Sequence, residues 1–149
     1  MSENNLFPVF DVPEIDEPDQ ADTRSYKSSV YFDYSIGDFR RDGAHRMTSS
    51  TGKEAYIQWC IKIVQTERDA LLAYSTDIGT EIETELAQGD RESVESELEK
   101  TITEALMVNN HTEYVRGFEF AWNADSINVS FIIKGREWEE ETVNVSYLI

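Results

Sequence analysis

The stretch from Thr51 to Gly79, TGKEAYIQWCIKIVQTERDALLAYSTDIG, limits what this chain can become more than any other. On a helical wheel Ala55, Tyr56, Ile57, Trp59, Cys60, Ile61, Ile63 and Val64 take up most of the circumference. Gln58, Lys62, Gln65 and Asp69, spaced by three or four, leave only a narrow polar strip. A helix that is apolar over so much of its surface is enclosed on most sides. The pattern therefore predicts a central helix, opened by Thr51 as N-cap with Glu54 completing a capping box. Continuing the stripes Tyr56–Cys60–Ile63 and Ile57–Ile61–Val64 places Glu67 and Arg68 on the apolar side. An unpaired charge is costly there. Neighbouring helical residues point about 100° apart, so each charge is expected to reach a different partner. The pair either closes a structural ion network or holds a neighbouring protein, and the two roles are compatible.

A second helix is expected over Arg91–Val108, introduced by Gly89 and capped by Asp90. Val94, Leu98, Ile102, Ala105 and Leu106 form one apolar stripe, and Glu92, Glu95, Glu97, Glu99 and Glu104 cover the remainder. After Asn109-Asn110-His111 the period changes from helical to two. Phe118, Phe120 and Trp122 alternate with small or polar residues, as do Ile127, Val129, Phe131 and Ile133, then Val143, Val145, Tyr147 and Ile149. Turn-forming runs at 123–126 and 135–137 separate the three segments, which predicts a β-meander. Its last strand is either internal or an open edge available for pairing. Upstream, SVYFDY (29–34) has strand composition, and the glycines and aspartates of 36–43 predict a turn or hairpin. Gly79 is a candidate for positive φ in the loop that follows the central helix. The expected fold is α+β: two main helices on a small, mostly antiparallel sheet spanning 26–149 as one domain.

Residues 1–25 read differently. Pro8, Pro13 and Pro18 exclude a helix, and seven of the residues are acidic: Glu3, Asp11, Glu14, Asp16, Glu17, Asp19 and Asp22. Leu6, Phe7, Val9, Phe10, Val12 and Ile15 are more apolar side chains than a solvated tail carries. The alternatives are a disordered terminus and an extended arm that lays Phe7, Val9 and Phe10 on a neighbouring subunit, and the second is our reading.

The net charge of −17 argues against nucleic-acid phosphate and anionic membrane surfaces as partners and favours basic protein surfaces. The lone cysteine, Cys60, excludes an internal disulfide and falls mid-helix on the apolar side, as a buried small hydrophobe does. Arg40, Arg41 and Arg46 form one basic cluster without a Gly-rich phosphate loop, which points to a solvated loop or salt bridges to acidic neighbours. Glu67 is the carboxylate best suited to act as a general acid, yet no second carboxylate is nominated beside it, as glycoside hydrolysis requires. Glu137, Glu139, Glu140 and Glu141 lack the spacing of a calcium loop. No catalytic residue, cofactor site or metal site is expected. No signal peptide or apolar span is visible, which predicts synthesis in the cytoplasm.

The order of these features carries a resemblance. An apolar helix ends in Thr66-Glu67-Arg68, followed by a loop with Asp77-Ile78-Gly79, an acidic helix ending in Ala105-Leu106, then Tyr114-Val115 and a meander. Through VYFDYSIGDFRRDG, GKEAYIQWCIKIVQTERDALLAYSTDIG and EYVRGFEF the chain resembles the baseplate wedge, or sheath-initiator, family of contractile phage tails. The likeness is to its XkdS-like branch, found in prophages and phage-tail-like particles, and it covers about 26–149. It implies a virion structural subunit of the tail baseplate, assembled in multiple copies around the tail axis and made in the host bacterial cytoplasm. Such a subunit joins other wedge proteins to the tube and sheath and templates the first sheath ring, in part by strand exchange. The family's Glu-Arg motif, associated with holding partner segments, matches Glu67 and Arg68. The family's usual Gly before Glu-Arg is Thr66 here, and the proline before its Asp-Phe-Gly is missing, which predicts a longer helix. The expected partner-binding residues are Glu67, Arg68, Phe7, Val9, Phe10, Val143, Val145, Tyr147 and Ile149. Two readings compete: a peptidoglycan hydrolase built on Glu67, and an acidic inhibitor that docks on a basic protein.

Overall fold

Period-two alternation over the last forty residues forms three long strands: β5 (Thr112–Trp122), β6 (Ser126–Gly135) and β7 (Glu141–Leu148). They pair antiparallel in the order β5-β6-β7, as the alternation predicts. Ile127, Val129, Phe131, Ile133, Val143 and Val145 point to one face and are buried. The computed structural model describes residues 26–69, 78–82, 86 and 90–149. The arm, with Phe7, Val9 and Phe10, lies outside the described residues.

Two helices cover the apolar face of the sheet: α1 (Gly52–Val64) and α2 (Arg91–Met107). The stripe read for α2 is the buried one, with Val94, Leu98, Ile102, Ala105 and Leu106 packed inward and Thr101 beside them. Tyr56, Cys60, Ile63 and Val64 of α1 join this core. At the end of α2 the Thr112 hydroxyl donates to the Leu106 carbonyl at 2.9 Å. Its single proton is thereby used, so the Tyr56 hydroxyl, 2.9 Å away, donates to Thr112. This buried relay ties α1 to the C-terminal carbonyls of α2 and to the first residue of β5.

Short pairings build the segment before α1. β1 (Ser29–Val30) pairs with β4 (Ser49–Ser50), and β2 (Phe32–Asp33) with β3 (Asp38–Phe39). The expected 29–34 strand is thus split in two, and the expected turn holds Gly37 at φ +69°. The basic cluster disperses locally: Arg46 pairs with Asp42 at 3.3 Å, and Arg40 lies over the Tyr31 ring.

Two expectations about α1 are corrected. Thr51 is the N-cap, but its side chain makes no capping hydrogen bond. Gly52 at φ +55° takes the first position out of helical geometry, and the Thr51–Glu54 box does not close. The helix also stops at Val64 instead of running through Arg68. Thr66 bonds back to the Lys62 carbonyl through Oγ1 at 2.7 Å, a side-chain bond that competes with the helical ladder. The Arg68 N–H, which would have continued the ladder to Val64, instead donates to the Thr80 carbonyl at 2.8 Å.

Candidate partner-binding site

Glu67 and Thr80 form an isolated parallel bridge, closed on its other side by the Thr80 N–H on the Thr66 carbonyl at 2.9 Å. The approach is close enough to require glycine beside it. Gly79 has φ +103°, and a Cβ there would sit 2.6 Å from the Thr66 carbonyl oxygen. The positive φ expected of Gly79 is present, and the clash adds a second reason for glycine at this position.

With Arg68 N–H diverted, the Val64 carbonyl is left to side chains. Thr80 Oγ1 donates to it at 3.2 Å and the Tyr147 hydroxyl at 3.0 Å. Burial raises the Tyr147 phenol well above its ordinary pKa, which keeps it a donor. The end of α1, the 79–82 segment and β7 therefore meet at one atom.

Glu67 and Arg68 do take different surroundings, as the wheel requires, but from a bridge and not from a helix face. Arg68 Nη1 pairs with Glu81 at 3.1 Å, and Nη2 donates to the Gly79 carbonyl at 3.3 Å. Its Nε is buried without a hydrogen-bond partner. Arg68 thus clamps the returning segment. Glu67, half-buried, lines a cleft of about 350 Å³ with Thr80, Ile82, Ser146, Tyr147 and Leu148. The structure brings Glu67 and Tyr147 together here.

Among the described residues no strand pairs with the outer edge of β7. The Ile149 N–H donates to the Asp125 carbonyl at 3.0 Å, which fixes the phase of the ladder. Residues 143, 145 and 147 then bond to β6, while Thr142, Asn144, Ser146 and Leu148 turn N–H and C=O toward the open edge. Val143 and Val145, read from sequence as partner contacts, are buried in the chain's own core. They support the edge and are not exposed on it. Leu148 and Ile149 are the exposed apolar residues at its end, 82% and 59% accessible. Sequence reasoning missed Thr80 and the even-numbered residues of β7. No local pattern marks Thr80, whose role depends on Val64 far away in the chain.

The two sheet edges differ. β5 carries register shifts between Thr112 and Tyr114 and between Arg116 and Glu119, with Gly117 at φ +65° inside the second. Such irregularities discourage pairing. β7 pairs with β6 from Leu148 to Glu141 without a shift, so its outer edge is regular. Among the described residues no group of three or more His, Cys, Asp or Glu side chains is placed to hold a metal ion. None of the described helices is long and apolar enough to cross a membrane.

These features define an α+β domain with, among the described residues, one regular strand edge and a cleft at its end. The chain belongs to the contractile injection system sheath initiator family, whose sequence model matches residues 28–137. It is 32% identical over 103 residues to the phage-like element PBSX protein XkdS of Bacillus subtilis (strain 168), covering 66% of this chain and 70% of that protein. The resemblance read from VYFDYSIGDFRRDG and the helix that follows is confirmed, and the chain is a structural component of a phage-type tail.

Proposed function

We propose that this chain is the baseplate wedge subunit that joins other wedge proteins to the tube and sheath and starts the first sheath ring. A strand from a sheath or wedge protein adds to the outer edge of β7, bonding to the backbone of Thr142, Asn144, Ser146 and Leu148. Glu67, Tyr147, Leu148 and Ile149 receive the end of that strand at the cleft, and Arg68 holds the cleft wall. The arm, through Phe7, Val9 and Phe10, contacts a neighbouring subunit, and several copies surround the tail axis. In this reading the chain performs no catalysis, and Glu67 is a contact residue. The observation that carries the proposal is the regular edge of β7, unpaired among the described residues, in a sheet whose other edge strand, β5, is irregular.

Deleting residues after Glu141 would remove Val143 and Val145 from the core and is a poor test. Ser146→Pro is better, because the N–H it removes faces the open edge and not β6. The variant should remain folded, and tails carrying it should show tubes without sheath in electron micrographs. Sheathed tails at the native level would refute strand addition at β7.

A further inference from the structure

Beside α1 the chain opens a groove of about 920 Å³ between the β1–β3 segment, Trp59 and the turn after α2. Val30, Tyr34 and Phe39 line it and are each about two-fifths exposed, at 42%, 39% and 40%. None of its lining residues is acidic, and Lys27 and Lys62 are among them. In a chain with 30 Asp and Glu against 13 Lys and Arg, an apolar, carboxylate-free surface selects an apolar partner that carries acids. At one end Tyr26 is fixed edge-on to Tyr56, His111 and Trp138, and the Asn109 amide donates to its hydroxyl at 3.2 Å. Tyr26, the first of the described residues, therefore lines the groove, and the arm precedes it in the chain.

The arm has the matching chemistry. Leu6, Phe7, Val9, Phe10 and Val12 are interleaved with Asp11 and followed by Glu14. We propose that this groove receives the 6–14 stretch of the arm of a second copy of the chain. The inference rests on the reading of the arm as a contact between subunits and names the surface that takes it. A second copy is favoured over the chain's own arm by the spacer. Pro13, Pro18 and five acidic residues from Glu14 to Asp22 favour extended, self-repelling backbone. At about 3 Å per residue, the stretch from Pro13 to Ser25 spans roughly 40 Å. A domain of this size has a radius of gyration of only about 15 Å. Aromatic side chains laid against Trp59 and Phe39 supply the apolar contact, and Asp11 and Glu14 face Lys27.

The test uses the full chain with a photoreactive benzoylphenylalanine in place of Phe10, irradiated at about millimolar concentration. Cross-linked peptides are mapped by mass spectrometry. We expect a dimer-mass product joined at peptides containing Trp59 or Phe39, reduced about tenfold by Lys27→Glu in the receiving copy, since like charges then meet at the interface. A monomer-mass product cross-linked to the groove would show that the chain's own arm fills it and would overturn the proposal. So would dimers cross-linked elsewhere, or no cross-link at all. Sheath formation by Ser146→Pro is scored separately, so loss of the arm contact and loss of the strand-edge reading are distinguishable.

Discussion

The junction at the Val64 carbonyl makes a quantitative prediction. Its helical partner, the Arg68 N–H, is engaged by Thr80, and two hydroxyls replace it, Thr80 Oγ1 at 3.2 Å and Tyr147 OH at 3.0 Å. Thr80→Val is nearly isosteric at a residue that is 1% exposed and leaves Tyr147 on the carbonyl. Tyr147→Phe leaves Thr80. Each single change removes one neutral hydrogen bond, worth about 0.5–1.5 kcal/mol. The double change leaves a buried carbonyl with no partner, which adds a desolvation penalty of about 1–3 kcal/mol. The singles should therefore sum to about 2 kcal/mol and the double should cost about 3–4, a coupling of 1 kcal/mol or more. Urea unfolding of the four proteins measures this. In thermal melts each kcal/mol corresponds to about 2–4 °C for a chain of this length. Additivity within about 0.5 kcal/mol would mean that the hydroxyls do not share the carbonyl, and the account of how α1 ends would be wrong.

Two further measurements probe the same core. Cys60 is fully buried, and burial pushes its thiol up to about 12. A thiol reagent at mildly alkaline pH should label it only as fast as the protein unfolds, and labelling that outpaces unfolding would contradict its placement. Burial also raises the phenols of Tyr56 and Tyr147 in the folded state. A folded-state pKa above the unfolded one leaves stability intact below the unfolded value, about 10, and removes it as pH rises beyond. Phenolate absorbance from these two residues should therefore appear together with loss of helical circular dichroism. Ionisation of both near pH 10 with the helices retained would refute it.

What could be read from sequence, and what could not, divides along the range of the interactions. The α2 stripe and the meander follow from side-chain period alone, so Val94, Leu98, Ile102 and the alternation of Ile127 to Ile133 were legible. The end of α1 was not. The wheel carries Tyr56–Cys60–Ile63 on to Glu67 without interruption, and besides the local Thr66–Lys62 bond it is the hydroxyls of Thr80 and Tyr147 and the bridge at Thr80, all distant in sequence, that mark where the helix has stopped.

The same distinction governs β7. Alternation groups Val143, Val145 and Tyr147 on one face, but does not say whether they or their neighbours bond to β6; the Ile149–Asp125 contact decides that. Side-chain face and hydrogen-bond direction alternate with one period. Once the odd residues are inward and bonded to β6, the open edge belongs to Thr142, Asn144, Ser146 and Leu148. The first three of these are polar and exposed and offer an incoming strand backbone pairing without deep pockets. Backbone pairing supplies affinity and side-chain pockets supply selectivity. In the strand addition proposed above, selectivity for one partner strand comes from the end of the edge, where Leu148 meets the cleft lined by Glu67, Thr80 and Ile82. In that proposal the Glu-Arg segment and the strand edge act as one site, since both border the same cleft. Glu67 then lies beside the last paired residue, and Arg68, through Glu81 and the Gly79 carbonyl, holds in place the segment that forms the opposite wall.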